Sequence, residues 1–430
     1  MLKSEIQEAA GNLQLCAGQT GGCEAVVHAM ATIYDEDETE AVLLVDASNA
    51  FNSINRHVML HNIQILCPSL AIFASNCYTQ QIRLLVVGGA ELQSVEGTTQ
   101  GDPIAMALYG ICITPLLTAL KSLTNDVKHA AFADDLTGAG RLESLRQWWE
   151  NLIQLGPKIG YYPNPQKSWL IVKQQHSDLV KAFEDTSIKI TYDGQRHLGA
   201  VIGDAKFKEE YISEKVRIWV EELNLLSKIA KSQPQAAYVA FIIGFKNKFN
   251  YVLRTMADIG QLLLPVENQI RFHLIPSLCN GRNCNDNERI LLSLPIKMGG
   301  LGIINITEEA ANQFQTSKAV TSQLCSLIVN QSDEKVESAS SHNILNRRKN
   351  SQKSSNEEKL REVLQKLPSI QKKAVEIARS EGASSWLTTI PLADENFVLN
   401  KQEFFDAVFM RYAWEMKYLP IKCVSLQNFR

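Results

Sequence analysis

The chain of 430 residues is 45% hydrophobic and 21% charged, with a formal net charge of -3 at pH 7. These values are ordinary for a soluble globular protein, and without an uninterrupted run of about 18 apolar residues we expect no membrane partner. The small net charge does not exclude a nucleic-acid-binding protein, because an acidic region can offset a local basic groove in the total. The length exceeds that of one compact core and predicts two or three domains. Nine scattered cysteines predict reduced thiols in an intracellular protein, in either the nucleus or the cytoplasm.

Short apolar strands are mixed with helices in residues 1–205, which predicts an α+β domain. The run Glu40–Ser48, EAVLLVDAS, has the pattern of a buried strand that ends at an aspartate, Asp46. The run Ile82–Leu92 predicts a hairpin that turns at two adjacent glycines. We therefore expect an antiparallel sheet with helices packed against it.

A long apolar helix is predicted after these strands, with Asp102 as its N-cap and Pro103 as its first residue. The stretch HAAFADDLTGAG then predicts a second β-hairpin. Apolar residues flank Asp134 and Asp135 on both sides, and glycines end the pattern. A further helix is predicted at Leu142–Leu155.

Long helices dominate the sequence after residue 205, which predicts an all-α domain at residues 206–331. Its helices are expected at Glu209–Lys231, Pro234–Met256 and Ile259–Leu278. Residues 332–359 are polar and low in complexity, which predicts a disordered linker. Residues 360–430 predict a C-terminal helical segment, with its most apolar helix at Phe404–Met416.

Asp134 and Asp135 stand side by side at the tip of an otherwise apolar hairpin. An isolated pair of this kind is most often an Asp-rich turn. Asp46, however, ends a neighbouring strand, and three clustered carboxylates repel each other unless cations neutralise them. Mg²⁺ prefers oxygen ligands, and a pair of such ions clamps the attacking and leaving oxygens in phosphoryl transfer. The three aspartates therefore predict a site for two Mg²⁺ or Mn²⁺ ions.

Two further stretches fit the same chemistry. Phe51 follows Asp46 closely in DASNAF, where an aromatic ring could wall the pocket beneath a sugar. The loop Glu96–Pro103, EGTTQGDP, opens a helix, so its amides and Gln100 could face a nucleotide or a template. Taken alone, each stretch has a structural alternative: a core phenylalanine and an ordinary capped helix.

In this order, DASNAF, TTQGDP and FADD resemble the first three motifs of the palm of a reverse transcriptase. GYYPNPQKS (Gly160–Ser168) resembles the fourth motif, and RHLGAVIG (Arg196–Gly203) resembles the hairpin that grips the primer end. Gly11–Met30 resembles the stretch that precedes the palm, and LPIKMGGLGI (Leu294–Ile303) resembles elements of the non-long-terminal-repeat type. The resemblance covers about residues 10–305.

The resemblance implies a palm of the right-hand polymerase type, followed by an all-α thumb-like region. It also implies the reverse transcriptase, an RNA-directed DNA polymerase, of a retrotransposon, which adds a dNTP to a DNA primer on an RNA template. Asp46, Asp134 and Asp135 would hold the two metal ions, with help from the carbonyl of Ala47. Phe51 would be the steric gate that rejects a ribose 2′-hydroxyl.

The remaining substrate contacts implied by the resemblance lie on three loops. Gln100 and Gly101 would line the nucleotide and template side. Leu198 and Gly199 would position the primer. Lys167 would protonate or stabilise the leaving pyrophosphate, a task suited to a compact cation, although a solvated loop lysine is an equal alternative.

The chain departs from the family pattern at its start, because Lys3 is the only lysine or arginine before Asp46. We therefore expect an N-terminal truncation that removes most of the fingers, with a poor KM for dNTP. Two other functions stay open. One is a catalytically weak or inactive reverse-transcriptase-like fragment that binds RNA or a protein. The other is an RNA-directed RNA polymerase, against which Phe51 argues, since such an enzyme must accept the 2′-hydroxyl.

Overall fold

The computed structural model describes residues 2–335 and 338–416. It divides into two compact units, Met1–Glu209 with Gln315–Leu345 and Glu210–Phe314 with Asn346–Arg430. The division differs from the predicted domains, because residues 315–331 belong to the first unit and residues 360–416 to the second. Contacts between residues far apart in the chain decide this division, and composition does not reveal such contacts.

Nine strands occur among the described residues: β1 Ala41–Val45, β2 Ile82–Leu85, β3 Glu91–Ser94, β4 Lys128–Phe132, β5 Asp135–Gly140, β6 Trp169–Val172, β7 Lys189–Thr191, β8 Gly194–His197 and β9 Ala200–Gly203. Five of them form the main sheet in the order β4-β5-β1-β6-β7. β1 lies at its centre and pairs antiparallel with both β5 and β6. The sheet is therefore mainly antiparallel, with one parallel pair, β6 with β7.

The helices that accompany these strands are α1 Leu2–Ala10, α2 Gly22–Asp35, α3 Ala50–Ser53, α4 Arg56–Leu66, α5 Pro68–Tyr78, α6 Ala105–Leu123 and α7 Leu142–Leu155. Among the described residues, α6 alone is long and apolar enough to cross a membrane by length and composition. About half of this helix is buried, and its Leu108, Ile111 and Leu116 belong to the core cluster beside β1. α6 thus packs as a core helix of the first unit.

The start of α6 differs from the prediction by a short turn. The helix begins at Ala105, whereas Asp102 was predicted as its N-cap. One carboxylate oxygen of Asp102 accepts a hydrogen bond from the Ile104 amide at 3.0 Å, and the other accepts one from the Tyr78 hydroxyl. Asp102 therefore fixes the turn before the helix instead of capping the helix directly.

The α-helices after β9 are α8 Ala205–Ala230, α9 Pro234–Val239, α10 Asn247–Thr255, α11 Leu264–Gln269, α12 Ile275–Leu278, α13 Asp286–Ser293, α14 Ile306–Val329, α15 Ser338–Lys366, α16 Ser369–Ala378 and α17 Lys401–Tyr412. Two of the predicted long helices contain π-helical segments, at Ala240–Phe245 and Ile270–Leu274. The disordered linker predicted at 332–359 is wrong over most of its length, because α15 occupies it. Lysine, glutamate, glutamine and arginine favour helices, and the buried Leu360 and Val363 secure its end.

The stretch LPIKMGGLGI is a tightly held loop of the second unit. The carbonyl of Gly299 accepts a hydrogen bond from the Tyr412 hydroxyl at 3.0 Å, and that of Leu301 accepts one from the Tyr238 hydroxyl at 2.7 Å. The guanidinium of Arg411 reaches the carbonyl of Gly300 at 3.1 Å. Within the second unit the motif thus serves as a packing surface for α9 and α17.

Candidate active site

The Asp134–Asp135 pair lies at the tip of the hairpin formed by β4 and β5. Phe132 pairs with Asp135, so the loop has two residues, Ala133 and Asp134. Ala133 has φ 57°, a left-handed conformation that costs about 1–2 kcal/mol for a residue with a Cβ. A turn of this kind matches the twist of the two strands, and it needs support from its surroundings when glycine does not occupy it.

The side chain of Gln14 supplies this support. Its Nε2 donates to the Ala133 carbonyl at 3.0 Å, and its Oε1 accepts from the Ala133 amide at 2.9 Å. Gln14 is completely buried, and its neighbours hydrogen-bond to Ala131 as an added strand beside β4. The turn that presents the two aspartates is therefore fixed through both backbone groups of its strained residue.

A second buried side chain holds the other turn residue. The hydroxyl of Tyr161 donates to the backbone carbonyl of Asp134 at 3.0 Å. Burial, with smaller contributions from the charges of Asp134, Asp135 and Asp46, raises the pKa of Tyr161 well above its ordinary value, so it stays a donor at neutral pH. This hydrogen bond holds the backbone of Asp134 in place, and the backbone in turn sets the direction of the Asp134 side chain.

Asp46 follows the last residue of β1, Val45, which pairs with Leu136. Continuing this register by one residue sets Asp46 opposite Asp135, and opposite residues of an antiparallel pair lie about 4.5–5.5 Å apart on the same face. The Asp46 carbonyl accepts from the Asn164 amide at 2.7 Å on the β6 side. Successive carbonyls of a strand point to opposite edges, so the carbonyl of Ala47 faces the side of the β5 hairpin.

Electrostatic repulsion acts among the three carboxylates. Burial raises the pKa of Asp135 to about 6, and the charges of Asp134 and Asp46 add to the rise. Burial and the charge of Asp46 also raise the pKa of Asp134, partly offset by a hydrogen bond from its own backbone. Burial and the neighbouring carboxylates together disfavour ionisation here, and no cationic side chain is among the causes that act on these two groups.

The donor set fits a divalent cation of the Mg²⁺ type. Three carboxylates and one backbone carbonyl are hard oxygen ligands, and their mutual repulsion would be relieved by positive charge. Among the described residues, no group of three or more His, Cys, Asp or Glu side chains is close enough to hold an ion by itself. Mg²⁺ normally keeps several waters and completes its shell with substrate phosphates, so a partial protein set suffices.

Phe51 lies in α3 and is half-buried. Its ring stacks on Tyr109 with 4.4 Å between the ring centroids. Burial raises the pKa of Tyr109 well above its ordinary value, and Tyr161 and the negative charge of Asp134 contribute. Tyr109 thus lies within electrostatic range of the hairpin tip, and Phe51 is fixed against it with part of its ring open.

The loop that carries Gln100 and Gly101 is attached to the Phe51 segment. The Thr98 amide donates to the Phe51 carbonyl at 2.7 Å, and the Gly97 amide donates to the Ile54 carbonyl at 2.8 Å. Gln100 and Gly101 are exposed, and a Cβ at Gly101 would meet nothing within 4 Å. The structure therefore brings the exposed end of this loop to the side of the site where Phe51 lies.

The hairpin of β8 and β9 turns at Leu198 and Gly199, which both have positive φ. His197 precedes this turn, and its Nε2 lies 3.0 Å from the hydroxyl of Thr137 in β5. Both side chains are buried. The turn predicted to position the primer is thereby joined to the strand that begins at Asp135.

Lys167 is exposed and lies on the loop that adjoins Asp46. Its backbone amide donates to the Asn164 carbonyl at 3.2 Å, and the Asn164 amide binds the Asp46 carbonyl. Among the described residues, no hydrogen bond or ion pair of the Lys167 ammonium is formed. The loop position is thus fixed near the carboxylates, whereas the side chain is free to reorient.

Sequence reasoning missed the residues that support this site: Gln14, Tyr161, Tyr109, Thr137 and His197. Three of them, Gln14, Tyr161 and His197, lie in stretches that carry the family resemblance. That resemblance was the signal in the sequence that could have pointed to them. Their roles are long-range hydrogen bonds and stacking, which no local pattern encodes.

Residues 14–197 match the family model described as reverse transcriptase (RNA-dependent DNA polymerase). This segment belongs to the reverse transcriptase family. The reverse transcriptase domain contains Asp46, Asp134 and Asp135, and its matched segment begins at Gln14 and ends at His197. Gln14 and His197 are buried and support the site from outside the main sheet, and they are the first and last residues of the matched segment.

Two solved structures resemble the chain more distantly. Telomerase from Candida albicans, in complex with a TWJ fragment of telomeric RNA, has 10% identity and a TM-score of 0.32. The match covers 73% of this chain and 55% of the telomerase chain. Apo telomerase from Candida tropicalis has 10% identity and a TM-score of 0.36, and the match covers 72% of this chain and 53% of the telomerase chain. The chain thus spans about half the length of these telomerases, and no curated protein sequence matches it.

Proposed function

We propose that the chain is an RNA-directed DNA polymerase of a retrotransposon, with the first unit acting as palm and the second containing the thumb. The observation that carries the proposal is the convergence of Asp46 and the Asp134–Asp135 turn at one end of the β1–β5 pair. This convergence occurs inside the segment that matches the reverse transcriptase family. An RNA template, a DNA primer and a dNTP would be its substrates.

The proposed reaction is nucleotidyl transfer. The primer 3′-hydroxyl attacks the α-phosphorus of the dNTP, and a new P–O bond forms. The bond from that phosphorus to the bridging oxygen breaks, pyrophosphate leaves, and the hydroxyl proton passes to solvent. Asp46, Asp134 and Asp135, with the Ala47 carbonyl, would hold two Mg²⁺ or Mn²⁺ ions. The chemistry that such ions supply is activation of the hydroxyl and neutralisation of phosphate charge.

Other residues of the chain orient the substrates in this proposal. Phe51, fixed on Tyr109, would lie beneath the deoxyribose and leave no room for a 2′-hydroxyl. Gln100 and Gly101 would border the base pair between nucleotide and template. Leu198 and Gly199 would hold the primer terminus.

The leaving group has a candidate partner in Lys167. Its exposed ammonium can swing toward a phosphate, and a cation there would stabilise the negative charge that develops on pyrophosphate. A compact ammonium on a flexible stem suits this task.

Primer extension on an RNA template tests the proposal, with dNTPs and rNTPs compared and Asp134→Asn as the inactive control. Incorporation of dNTPs that depends on Mg²⁺ and on Asp134 is the expected result. Incorporation of rNTPs at equal efficiency would identify an RNA-directed RNA polymerase instead. Binding of template-primer without any incorporation, under Mg²⁺ and under Mn²⁺, would identify a nucleic-acid-binding module.

A further inference from the structure

A cavity of about 550 Å³ opens on the second unit, and none of its lining residues belongs to the matched segment 14–197. It is lined by the last turns of α8, the π-helical segment Ile270–Leu274, α12 and the start of α17. Its size lies in the range of pockets that hold small ligands or one unit of a polymer. This volume has room for one nucleotide.

The charged side chains that line the cavity are all basic. Lys228, Lys231 and Lys401 line it, together with His273, and none of its lining residues carries a carboxylate. The three lysines are exposed, and none of them forms an ion pair within the described ranges. Glu222, a carboxylate of α8, is paired with Lys248 at 2.7 Å. Uncompensated cations around a concave surface attract a polyanion.

An aromatic ring stands beside these cations. Phe272 lines the cavity and is 53% exposed, which is unusual for a phenylalanine of a packed helix. The guanidinium of Arg271 lies 5.2 Å from the centroid of its ring. Phe272 and His273 occupy a π-helical turn, a rare conformation that is frequent at functional sites.

We propose that this cavity binds one nucleotide of a single-stranded nucleic acid, with the base stacked on Phe272 and the phosphates held by Lys228, Lys231 and Lys401. Lysines that follow the backbone and aromatic rings that stack bases are the two components of sequence-tolerant single-strand binding. Asn280, at the rim, adds an amide that can hydrogen-bond a base or a ribose. The site lies outside the proposed polymerase centre and does not depend on its activity.

Fluorescence anisotropy of the full chain tests the site, with a labelled oligouridylate of about 12 nucleotides as the probe. Lys228→Gln/Lys231→Gln is expected to reduce the slope of log affinity against log salt by about 1.4, since each single-strand phosphate contact contributes about 0.7. Phe272→Ala is expected to weaken binding about tenfold with the salt slope unchanged. Lys372→Gln/Lys373→Gln removes the same charge from an exposed part of α16 and is the matched control.

Each result bears on the site independently of catalysis. Unchanged affinity and salt slope in the pocket variants, or equal losses in the control, would overturn the proposal. A lysine effect without a Phe272 effect, combined with full competition by inorganic tripolyphosphate, would show a phosphate site without base stacking and would also overturn it. Crosslinking of a 4-thiouridine probe to the peptide that contains Phe272 supports it. Failure of primer extension, by contrast, would affect the proposed polymerase and leave these measurements intact.

Discussion

Gln14 binds both backbone groups of Ala133, so an amide side chain from the start of the reverse transcriptase domain fixes the turn that presents Asp134 and Asp135. The bonds are buried, and Ala133 has a positive φ that its Cβ disfavours. Without Gln14, a buried amide and a buried carbonyl would each lose their partner, and the turn could relax. The geometry of the carboxylates therefore depends on a residue that is distant in the chain.

Removal of this side chain is expected to lower catalysis more than folding. Gln14→Ala should reduce kcat of primer extension by about 100-fold, because displacement of a reacting group by about 1 Å has an effect of this size. It should also raise the Mn²⁺ concentration that gives half-maximal activity. Ala133→Gly removes the strain of the positive φ, so adding it to Gln14→Ala should restore part of kcat.

Gln7→Ala is the matched control, since the Gln7 amide also bonds a backbone carbonyl, that of Gly18, but lies at the surface. Steady-state kinetics and thermal unfolding of the four proteins separate the two effects. A loss of thermal stability in Gln14→Ala with kcat and Mn²⁺ dependence unchanged would make Gln14 a packing residue only.

Asp135→Asn is expected to abolish polymerisation and to stabilise the protein at high pH. The pKa of Asp135 in the folded chain, about 6, lies above its ordinary value, so its ionised form destabilises the fold. This cost develops as pH rises from about 4 to about 6, between the pKa of the unfolded chain and that of the folded chain, and is complete above pH 6. The variant should therefore melt about 2 °C or more above the original protein at pH 8, with no difference at pH 4.

Thermal unfolding at these two pH values, without divalent cations, measures the effect. Asp178→Asn, at an exposed position, is the control and should change the melting temperature at neither pH. Saturating Mg²⁺ should shrink the difference at pH 8, because cations relieve the same repulsion. A variant that is less stable than the original protein at pH 8 would contradict the electrostatic account.

Phe51→Val is expected to admit ribonucleotides. The ring lies against Tyr109, so it cannot move away from a 2′-hydroxyl without losing this stacking. The smaller side chain should raise kcat/KM for rNTPs at least about tenfold and leave kcat/KM for dNTPs within about threefold, a difference of the size expected for steric exclusion in a pocket. Phe73→Val, at an exposed phenylalanine of α5, is the control. Equal losses for both substrate classes would show that Phe51 only packs the core.

The strands and the hairpin around the site could be predicted from the sequence, but the side chains that hold them in place could not. The strand that ends at Asp46 and the hairpin of Asp134 and Asp135 follow from apolar runs that stop at aspartates and glycines. The helix at Leu142–Leu155 has the predicted bounds. Gln14 looked like one polar residue among others, because its hydrogen bonds span more than a hundred residues. Pairings of this kind have no signature in composition or period.

The C-terminal half shows a different limit. Polar, low-complexity composition predicted disorder where α15 forms, because such a composition lacks apolar residues but not helix-forming ones. The π-helical turns that shape the cavity beside Phe272 also escaped prediction, since their residues keep the apolar spacing of an ordinary helix. Backbone irregularities set by packing have to be observed in the structure.

His197 is expected to make stability depend on pH. Burial lowers its pKa to about 4, so the imidazole bound to Thr137 is neutral in the folded chain, whereas the unfolded chain takes up a proton below about 6.5. The contribution of His197 to the free energy of unfolding is thus complete above pH 6.5 and falls between pH 6.5 and 4. The slope is about 1.4 kcal/mol per pH unit for one proton.

Urea unfolding at pH 7 and pH 5 measures this slope. In His197→Gln, which keeps a polar group near Thr137, the free energy of unfolding should fall less on acidification than in the original protein. His129, whose pKa burial also lowers to about 4, should remain to give part of the slope. His342→Gln, at an exposed position, is the control. An identical slope in all three proteins would show that His197 is protonated in the folded chain.

A buried ion pair in the second unit yields the last prediction. The Nε of Arg289 lies 2.7 Å from one carboxylate oxygen of Glu267, and an Nη lies 2.9 Å from the other. The same guanidinium donates to the carbonyls of Ile303 and Ile304. Both side chains are under 10% exposed. Arg289→Met is expected to destabilise this unit by about 3–5 kcal/mol, because it leaves the Glu267 charge buried without a partner.

The double variant Arg289→Met/Glu267→Met separates loss of the pair from loss of one partner. It should cost less than the sum of the two single variants, because no unpaired charge remains in it. Urea unfolding, with hydrogen exchange of peptides from α11 and α13 to assign the transition, measures the four proteins. Arg217→Met, which removes an exposed guanidinium paired with Glu214 and Glu221, should leave the midpoint unchanged. Additive costs in the double variant would mean that the two side chains stabilise the unit separately, through packing and not through their charges.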